Sequence, residues 1–367
     1  MKLALSGGGT GGHVYPALSI AGALARELPV SETLETLYIA SAGGAEGEIV
    51  RRAQMRVKTI TTAPIRGQMP WQMVANTALI ATGAAQARSI LADFRPEVLL
   101  STGGYASFPA ALAARSRGIP LALYLPDLHP GWAVRAIARL AQRIAVTAIE
   151  GLRKLPSGKT IVSGYPVREE FWQANRAEAR ERLGLAEEEK VLFVTGASSG
   201  AHSINKALAA DLPGILELCE VVHLSGTADE SWLREIHEAL PLGLRSRYHL
   251  YGYMHDEMPW AMAAADLALC RSGASTLGEL PAVGLPAILV PYPHAGGHQR
   301  VNARYLERNG AAVLLDDSEL GRILPVIGEL IHDESRLRAM RAAAKRLARP
   351  DAARRIARVL LELAEEQ

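Results

Sequence analysis

The chain has 367 residues, 49% apolar and 21% charged, with a formal net charge of +2 and two cysteines, Cys219 and Cys270. That length suits about two ordinary globular domains, and two cysteines so far apart give neither a disulfide framework nor a Cys-rich metal site, which fits a reducing compartment. No uncharged apolar run reaches the roughly 20 residues that a membrane-spanning helix needs, and no secretory leader is expected ahead of a first strand starting at Lys2.

Charge is unevenly spread. Residues 1–163 hold 17 Lys+Arg against 9 Asp+Glu, whereas residues 164–367 hold 23 against 29. A basic first half suits anionic ligands or an anionic membrane surface, and equally a solvated face. Its basic residues are scattered rather than striped, so nucleic acid is not an expected partner.

In chain order, short apolar runs alternate with helical patterns. Strands are expected at 3–6, 36–40, 57–61, 97–101, 121–124 and 144–148, with helices such as 16–27 and 106–117 between them. The stretch 66–91 reads as a helix, either packed on the core or offering Trp71, Met73, Val74, Leu79 and Ile80 to a membrane between Arg66 and Arg88. The Ser, Gly and Pro of "KTIVSGYPVREEF" (159–171) mark an inter-domain crossing. The pattern then restarts with "KVLFVTGASSGAHSINKAL" and further strands at 221–224, 248–250, 267–270, 287–290 and 312–315; from residue 319 the chain is nearly all helical. Buried strands alternating with helices imply two doubly wound parallel-sheet domains of Rossmann type, 1–163 and 164–347, with a last helix at about 348–367 able to pack back on the first. Ligands of such sheets sit outside the carboxyl ends of the strands, so the space between the domains is the expected site.

Three stretches carry chemistry. "GGGTGGH" (7–13) joins a strand to a helix, and glycines there permit close backbone approach to an anion at a helix start. It fails the dinucleotide fingerprint, because His13, Tyr15 and Pro16 stand where the helix should pack closely, and it lacks the Gly-Lys-Ser/Thr of a P-loop. A tight turn with a buried histidine is the plain alternative. "TGASSGAHSIN" (195–205) is a second anion-ready turn, with Ser198 beside Gly196 and Gly200. "CRSGASTLGELPAVGLPAILVPYPHAGGHQRVNA" (270–303) is the densest: a tight turn at Arg271–Gly273, a helix over 274–283 bearing Glu279, then His298 and Gln299 after two glycines. A carboxylate so placed can accept two ribose hydroxyls.

Together with "STGGYASFPAALAA" and "SGYPVR", these blocks resemble glycosyltransferase family 28 of the GT-B superfamily, in order and over most of the chain. The members concerned move N-acetylglucosamine from UDP-N-acetylglucosamine to undecaprenyl-diphospho-muramoyl-pentapeptide in peptidoglycan synthesis. The resemblance implies an inverting transferase at the cytoplasmic face of the membrane. The donor is held mainly by the second domain: Glu279 on the uridine ribose, Arg168 and Ser198 on the diphosphate, Ala274, Ser275 and Thr276 near phosphates and nucleoside, Arg271 in the same turn, and His298 with Gln299 on the sugar. The acceptor side is lined by Thr10, Gly11, Gly12 and Tyr105, and His13 faces it.

Inversion needs a hydroxyl nucleophile opposite UDP and a base working near neutral pH, for which imidazole is suited. No Asp-x-Asp occurs in the chain, so neither a metal nor another cofactor is expected. The family usually reads His-Glu-Gln-Asn where this chain has Tyr124-Leu125-Pro126-Asp127, and Gly-Asn-Pro-Val-Arg where it has Gly164-Tyr165-Pro166-Val167-Arg168. Asp127 is therefore a second catalytic candidate, either pairing with His13 or acting as the base itself. The alternatives are a transferase with another lipid or small-molecule acceptor, a UDP-N-acetylglucosamine epimerase, and a non-catalytic nucleotide-sugar binding protein. Nothing in the sequence speaks to oligomeric state.

Overall fold

A computed structural model describes residues 1–8, 11–44, 46–63, 70–196, 200–254 and 256–366. The chain divides into two compact units, Met1–Arg168 with Arg349–Gln367, and Glu169–Ala348.

The first unit is built on seven parallel strands: β1 (Lys2–Ser6), β2 (Glu35–Ser41), β3 (Arg56–Ile60), β4 (Val98–Ser101), β5 (Leu121–Leu125), β6 (Arg143–Val146) and β7 (Thr160–Val162), in the order β3-β2-β1-β4-β5-β6-β7. Strand order reverses between β1 and β4, the topological switch point at which such sheets open a crevice. Ser6 lies opposite Ser101 across that pair, so the loops leaving β1 and β4 start side by side.

Both faces of the sheet are covered, which is why its strands read as near-continuous apolar runs. Leu3 and Leu5 pack with Val14, Ala17 and Ile20 of the helix Gly11–Glu27, and with Ile356, Leu360 and Leu363 of the C-terminal helix Ala352–Glu365. Ala4 faces the other way, toward Ala87 and Leu91 of the helix Pro70–Phe94 and the alanines of Phe108–Ser116. Arg354 and Arg358 both pair with Glu27 across the C-terminal helix contact.

The second unit has six parallel strands: β8 (Val191–Thr195), β9 (Glu220–Leu224), β10 (Tyr248–Tyr251), β11 (Leu267–Cys270), β12 (Ala287–Leu289) and β13 (Ala312–Leu314), ordered β10-β9-β8-β11-β12-β13. Its switch point falls between β8 and β11, where Thr195 stands opposite Cys270.

Four local expectations need correcting. The first helix begins at Gly11, five residues before the expected start, with Pro16 inside it. A proline within the first turns costs few hydrogen bonds, so it did not delay the helix. Residues 160–162 form the edge strand β7 on β6, inside what reads as a crossing; three residues are too few to show a strand period. The division between units follows Arg168 rather than residue 163, because Ser163 donates to the Val146 carbonyl and Tyr165 to Gly12, both in the first unit. Finally, 274–283 is a 3-10 turn, Ala274–Leu277, and a short helix, Glu279–Val283, broken at Gly278.

Candidate functional site

At the β1/β4 exits, two glycine loops lie against each other. A Cβ on Gly7 would stand 1.9 Å from the Thr102 Oγ1, so a larger residue there would require the Thr102 side chain to turn away. Tyr38 donates to the Gly7 carbonyl at 2.8 Å from the far side. Ser101 and Ser107 tie the β4 loop to the helix that follows: the Gly103 N–H donates to Ser101 Oγ at 3.2 Å, and Ser107 Oγ to the Gly103 carbonyl at 2.8 Å.

His13 sits in the first turn of the helix from Gly11, half-buried against this scaffold. Its Nδ1 is 2.7 Å from the Thr102 carbonyl. A carbonyl only accepts, so Nδ1 carries the proton and, in the neutral ring, Nε2 is the acceptor. The anchor that the structure gives His13 is thus a main-chain oxygen rather than the Asp127 carboxylate. Asp127 lies beyond the end of β5, half-buried, and its charge bears on Tyr124. Burial pushes the Tyr124 phenol well above its ordinary value, the hydrogen bond with Thr147 opposes this, and the Asp127 charge adds to the rise. Tyr124 therefore remains a hydrogen-bond donor.

Gly11, Gly12 and His13 share one turn, and the half-exposed Tyr105 follows the facing loop. Arg168 joins this group, its guanidinium 4.5 Å above the Tyr15 ring. It is the last residue of the first unit's main segment, whereas Arg271, Glu279, His298 and Gln299 belong to the second. Thr10 lies outside the described residues.

At the β8/β11 exits of the second unit, Arg271 is enclosed. Its Nη1 donates to Asp317 at 2.6 Å and its Nη2 to Ser203 Oγ at 2.7 Å, while Ser203 donates on to Asp317 at 2.9 Å. This side chain joins the β11 turn to the helix His202–Leu218 and to the segment after β13. Ser272 Oγ donates to the Gln299 carbonyl at 2.9 Å, and the buried Asn302 amide donates to the Ser272 carbonyl at 3.2 Å. Gln299 also closes the preceding loop, its Oε1 accepting from the Tyr292 N–H at 2.9 Å.

Ala274, Ser275 and Thr276 form the 3-10 turn, tightened by Thr276 Oγ1 donating to the Gly273 carbonyl at 2.7 Å. Glu279 is buried at the head of the short helix that follows, and its charge helps burial push the adjacent Cys270 thiol up to about 12, which leaves no thiolate nucleophile there. His298 opens the helix His298–Arg308. Ser198 lies outside the described residues.

Behind the β8 loop runs a buried polar chain. Tyr248 pairs with His223 Nδ1 at 2.7 Å, and His223 Nε2 with Asn205 Oδ1 at 3.0 Å; the Asn205 amide donates to Asp229 at 2.8 Å. Asn205 Oδ1 can only accept, so the His223 proton is on Nε2 and Tyr248 donates to Nδ1. Asp229 also takes His202 and Trp232.

Sequence reasoning missed Thr102, Tyr15, Ser203, Asp317 and Asn302. Each acts on a residue distant in sequence; Thr102, Ser203 and Asn302 stood in quoted motifs, but nothing there marked their partners. Of the helix Pro70–Phe94, Ile80, Ala87, Leu91 and Phe94 are buried and Leu79 is exposed; Arg66 and the side chains of Trp71, Met73 and Val74 lie outside the described residues. Among the described residues no helix is long and apolar enough to cross a membrane, and no three His, Cys, Asp or Glu side chains gather as a metal set.

Two parallel-sheet units, each with candidate side chains gathered at its switch point, make this an α/β protein of the GT-B class. Its fold is similar to that of Acinetobacter baumannii MurG, with a TM-score of 0.74, 23% identity and 98% and 99% of the two chains covered. It is nearly as similar to the UDP-GlcNAc 2-epimerase from Neisseria meningitidis, with a TM-score of 0.70, 16% identity and 99% and 100% covered. Fold alone therefore does not separate transferase from epimerase. Sequence does: residues 3–146 match the glycosyltransferase family 28 N-terminal domain and 191–356 its C-terminal domain. The UDP-N-acetylglucosamine–N-acetylmuramyl-(pentapeptide) pyrophosphoryl-undecaprenol N-acetylglucosamine transferase of Roseiflexus sp. (strain RS-1) is 40% identical over 97% of this chain and 93% of its own. The chain belongs to glycosyltransferase family 28, and it is a hexosyltransferase.

Proposed function

We infer that the protein moves N-acetylglucosamine from UDP-N-acetylglucosamine to undecaprenyl-diphospho-muramoyl-pentapeptide, with inversion at the anomeric carbon. The full-length relationship to the Roseiflexus transferase carries this reading. The roles are those the resemblance implies, and the chemistry of the residues suits them. His13 is the base: Thr102 holds its Nδ1 proton, so Nε2 can take the proton of the acceptor hydroxyl. The new bond forms from that oxygen to the anomeric carbon as the bond to the UDP oxygen breaks, and UDP leaves with the electron pair.

On the donor side, Glu279 accepts the ribose hydroxyls, while Ser198, Ala274, Ser275 and Thr276 offer hydroxyl and main-chain dipoles to the diphosphate. His298 and Gln299 recognise the sugar. Gly11, Gly12, Thr10 and Tyr105 take the acceptor, and Arg168 faces the diphosphate. The scheme calls for no metal or other cofactor. A lipid-linked acceptor and the basic first half of the chain support peripheral binding at the cytoplasmic face of an anionic membrane.

A transferase with a different acceptor is the second reading, favoured by the departure at Tyr124-Leu125-Pro126-Asp127. One experiment separates the possibilities: labelled UDP-N-acetylglucosamine incubated with and without a short-chain lipid-linked muramoyl-pentapeptide, each with and without EDTA. Acceptor-dependent, EDTA-resistant release of UDP with a β-linked product is expected. Conversion without acceptor would mark an epimerase, and turnover only with other acceptors would mark the second reading.

A further inference from the structure

Pro16 leaves a gap in the helix that carries His13. In a helix the N–H of residue 16 would bond the carbonyl of residue 12, but proline has no N–H, so the Gly12 carbonyl has no helical donor. Tyr165 reaches that oxygen from 153 residues away: its hydroxyl donates to the Gly12 carbonyl at 3.3 Å. One helical turn further on, Arg168 lies over Tyr15. The segment 164–168 is thereby laid along the first turn of the helix, on both sides of His13.

The segment is itself held in place. Tyr124 packs edge-on against Tyr165, ring centroids 6.4 Å apart. The Tyr124 hydroxyl is 2.8 Å from Thr147 Oγ1, which donates to the Pro126 carbonyl at 2.7 Å, so the one proton of Tyr124 goes to Thr147. Gly164 has φ +96°, and a Cβ there would come within 2.5 Å of the Arg349 Cβ; only glycine fits between the network and the start of the C-terminal segment. Two of the positions at which this chain departs from the family pattern, 124 and 165, are thus in contact.

We propose that Tyr165 is a positioning residue for His13, acting through the Gly12 carbonyl that Pro16 leaves unbonded, with Tyr124 as its buttress. The proposal rests on His13 being the base. Tyr165 supplies the missing helical bond, keeps the first turn wound, and so keeps the imidazole in register with the Thr102 carbonyl. Loss of one such neutral hydrogen bond is worth about a threefold to tenfold change.

The test is a kinetic cycle over Tyr165→Phe and His13→Ala, with Tyr124→Phe as a second probe of the pair. Tyr165→Phe keeps the ring and its packing. It is expected to lower kcat about threefold to tenfold, with the donor KM unchanged, and to cause no further loss in the His13→Ala background. Equal loss in both backgrounds, or an unchanged kcat, overturns the proposal. NMR of protein labelled at histidine, with the His13 signal assigned from His13→Ala, gives a readout independent of turnover. Tyr165→Phe should shift the ring's titration or tautomer balance, and an unmoved His13 signal overturns the proposal. If His13→Ala alone keeps its rate, the base assignment fails, while the NMR result still decides whether Tyr165 positions the ring.

Discussion

Arg271 lies in the turn proposed to hold the donor, and its surroundings predict that it acts as a strut rather than as a phosphate ligand. Its guanidinium is committed to Asp317 at 2.6 Å and Ser203 at 2.7 Å, with a third, longer bond to the Val290 carbonyl at 3.3 Å. The Arg271 side chain is 9% exposed and that of Asp317 23%. Removing one partner of a fully buried pair costs about 3–5 kcal/mol, and the residual exposure of Asp317 puts Arg271→Ala near the bottom of that range, about 3 kcal/mol. Asp317→Asn keeps an acceptor for the guanidinium but loses the charge, so about 1–2 kcal/mol is expected, and a double-mutant cycle should show coupling above about 0.5 kcal/mol. Urea unfolding measures these terms, and calorimetric titration with UDP measures the functional consequence. Because the pair holds the β11 turn, both variants should weaken UDP in the same direction. The reasoning is refuted if Arg271→Ala leaves the unfolding midpoint unchanged yet loses UDP affinity tenfold or more, while Asp317→Asn binds UDP normally. That outcome would mean the guanidinium leaves Asp317 to meet the phosphates.

Three other expectations follow from the same contacts. His13→Ala should cut the transfer rate by about 10²–10⁴-fold, the range for losing a general base, whereas Asp127→Asn should cost far less because the His13 anchor is Thr102; near-normal rates in both variants would remove His13 and Asp127 from the chemistry. Burial pushes the His223 imidazole from 6.5 down to about 3, against the opposing pull of Asp229. The unfolded chain takes up that proton and the folded chain does not, so stability is complete above pH 6.5 and falls with pH toward about 3, at about 1.4 kcal/mol per pH unit, or about 2 kcal/mol lost by pH 5. His223→Gln should flatten that slope in urea titrations run from pH 8 to pH 5. Liposomes with anionic lipid should sediment the wild-type protein at low salt and release it as salt rises, and the absence of binding at low salt would remove the membrane reading.

The strands were legible because both faces of each sheet are covered, which leaves runs such as Val191–Thr195 with no polar interruption. The strand-to-helix loops were legible from their glycines. What the sequence did not reveal was which atoms those loops hold. The partner of His13 is a carbonyl, and every residue has one, so nothing in "STGGY" marks Thr102 as the anchor. Nothing in the turn that carries Arg271 points to Asp317, 46 positions later and in no motif, as its partner. Pro16 read as a helix start, and the consequence of its missing N–H inside the helix became visible only with Tyr165 at the Gly12 carbonyl.

The two sheets share one plan, so the differences between their switch points bear on what each can bind. At β8/β11 the cations are matched: Arg271 by Asp317, and Arg300 by Asp316. A buried Glu279 adds negative charge. A diphosphate held there as proposed relies on main-chain N–H groups of the 3-10 turn and on hydroxyls, which keep their polarity without a counter-charge. At β1/β4 the groups are of another kind. Arg168 lies over the Tyr15 ring, and His13 has its Nδ1 on a carbonyl. A carboxylate on Nδ1 would stabilise the protonated ring and raise its affinity for a proton, whereas a neutral carbonyl fixes the tautomer without that effect. Replacing the Thr102 anchor with a carboxylate is therefore not a conservative change for a base, and the same argument sets Asp127 apart from His13.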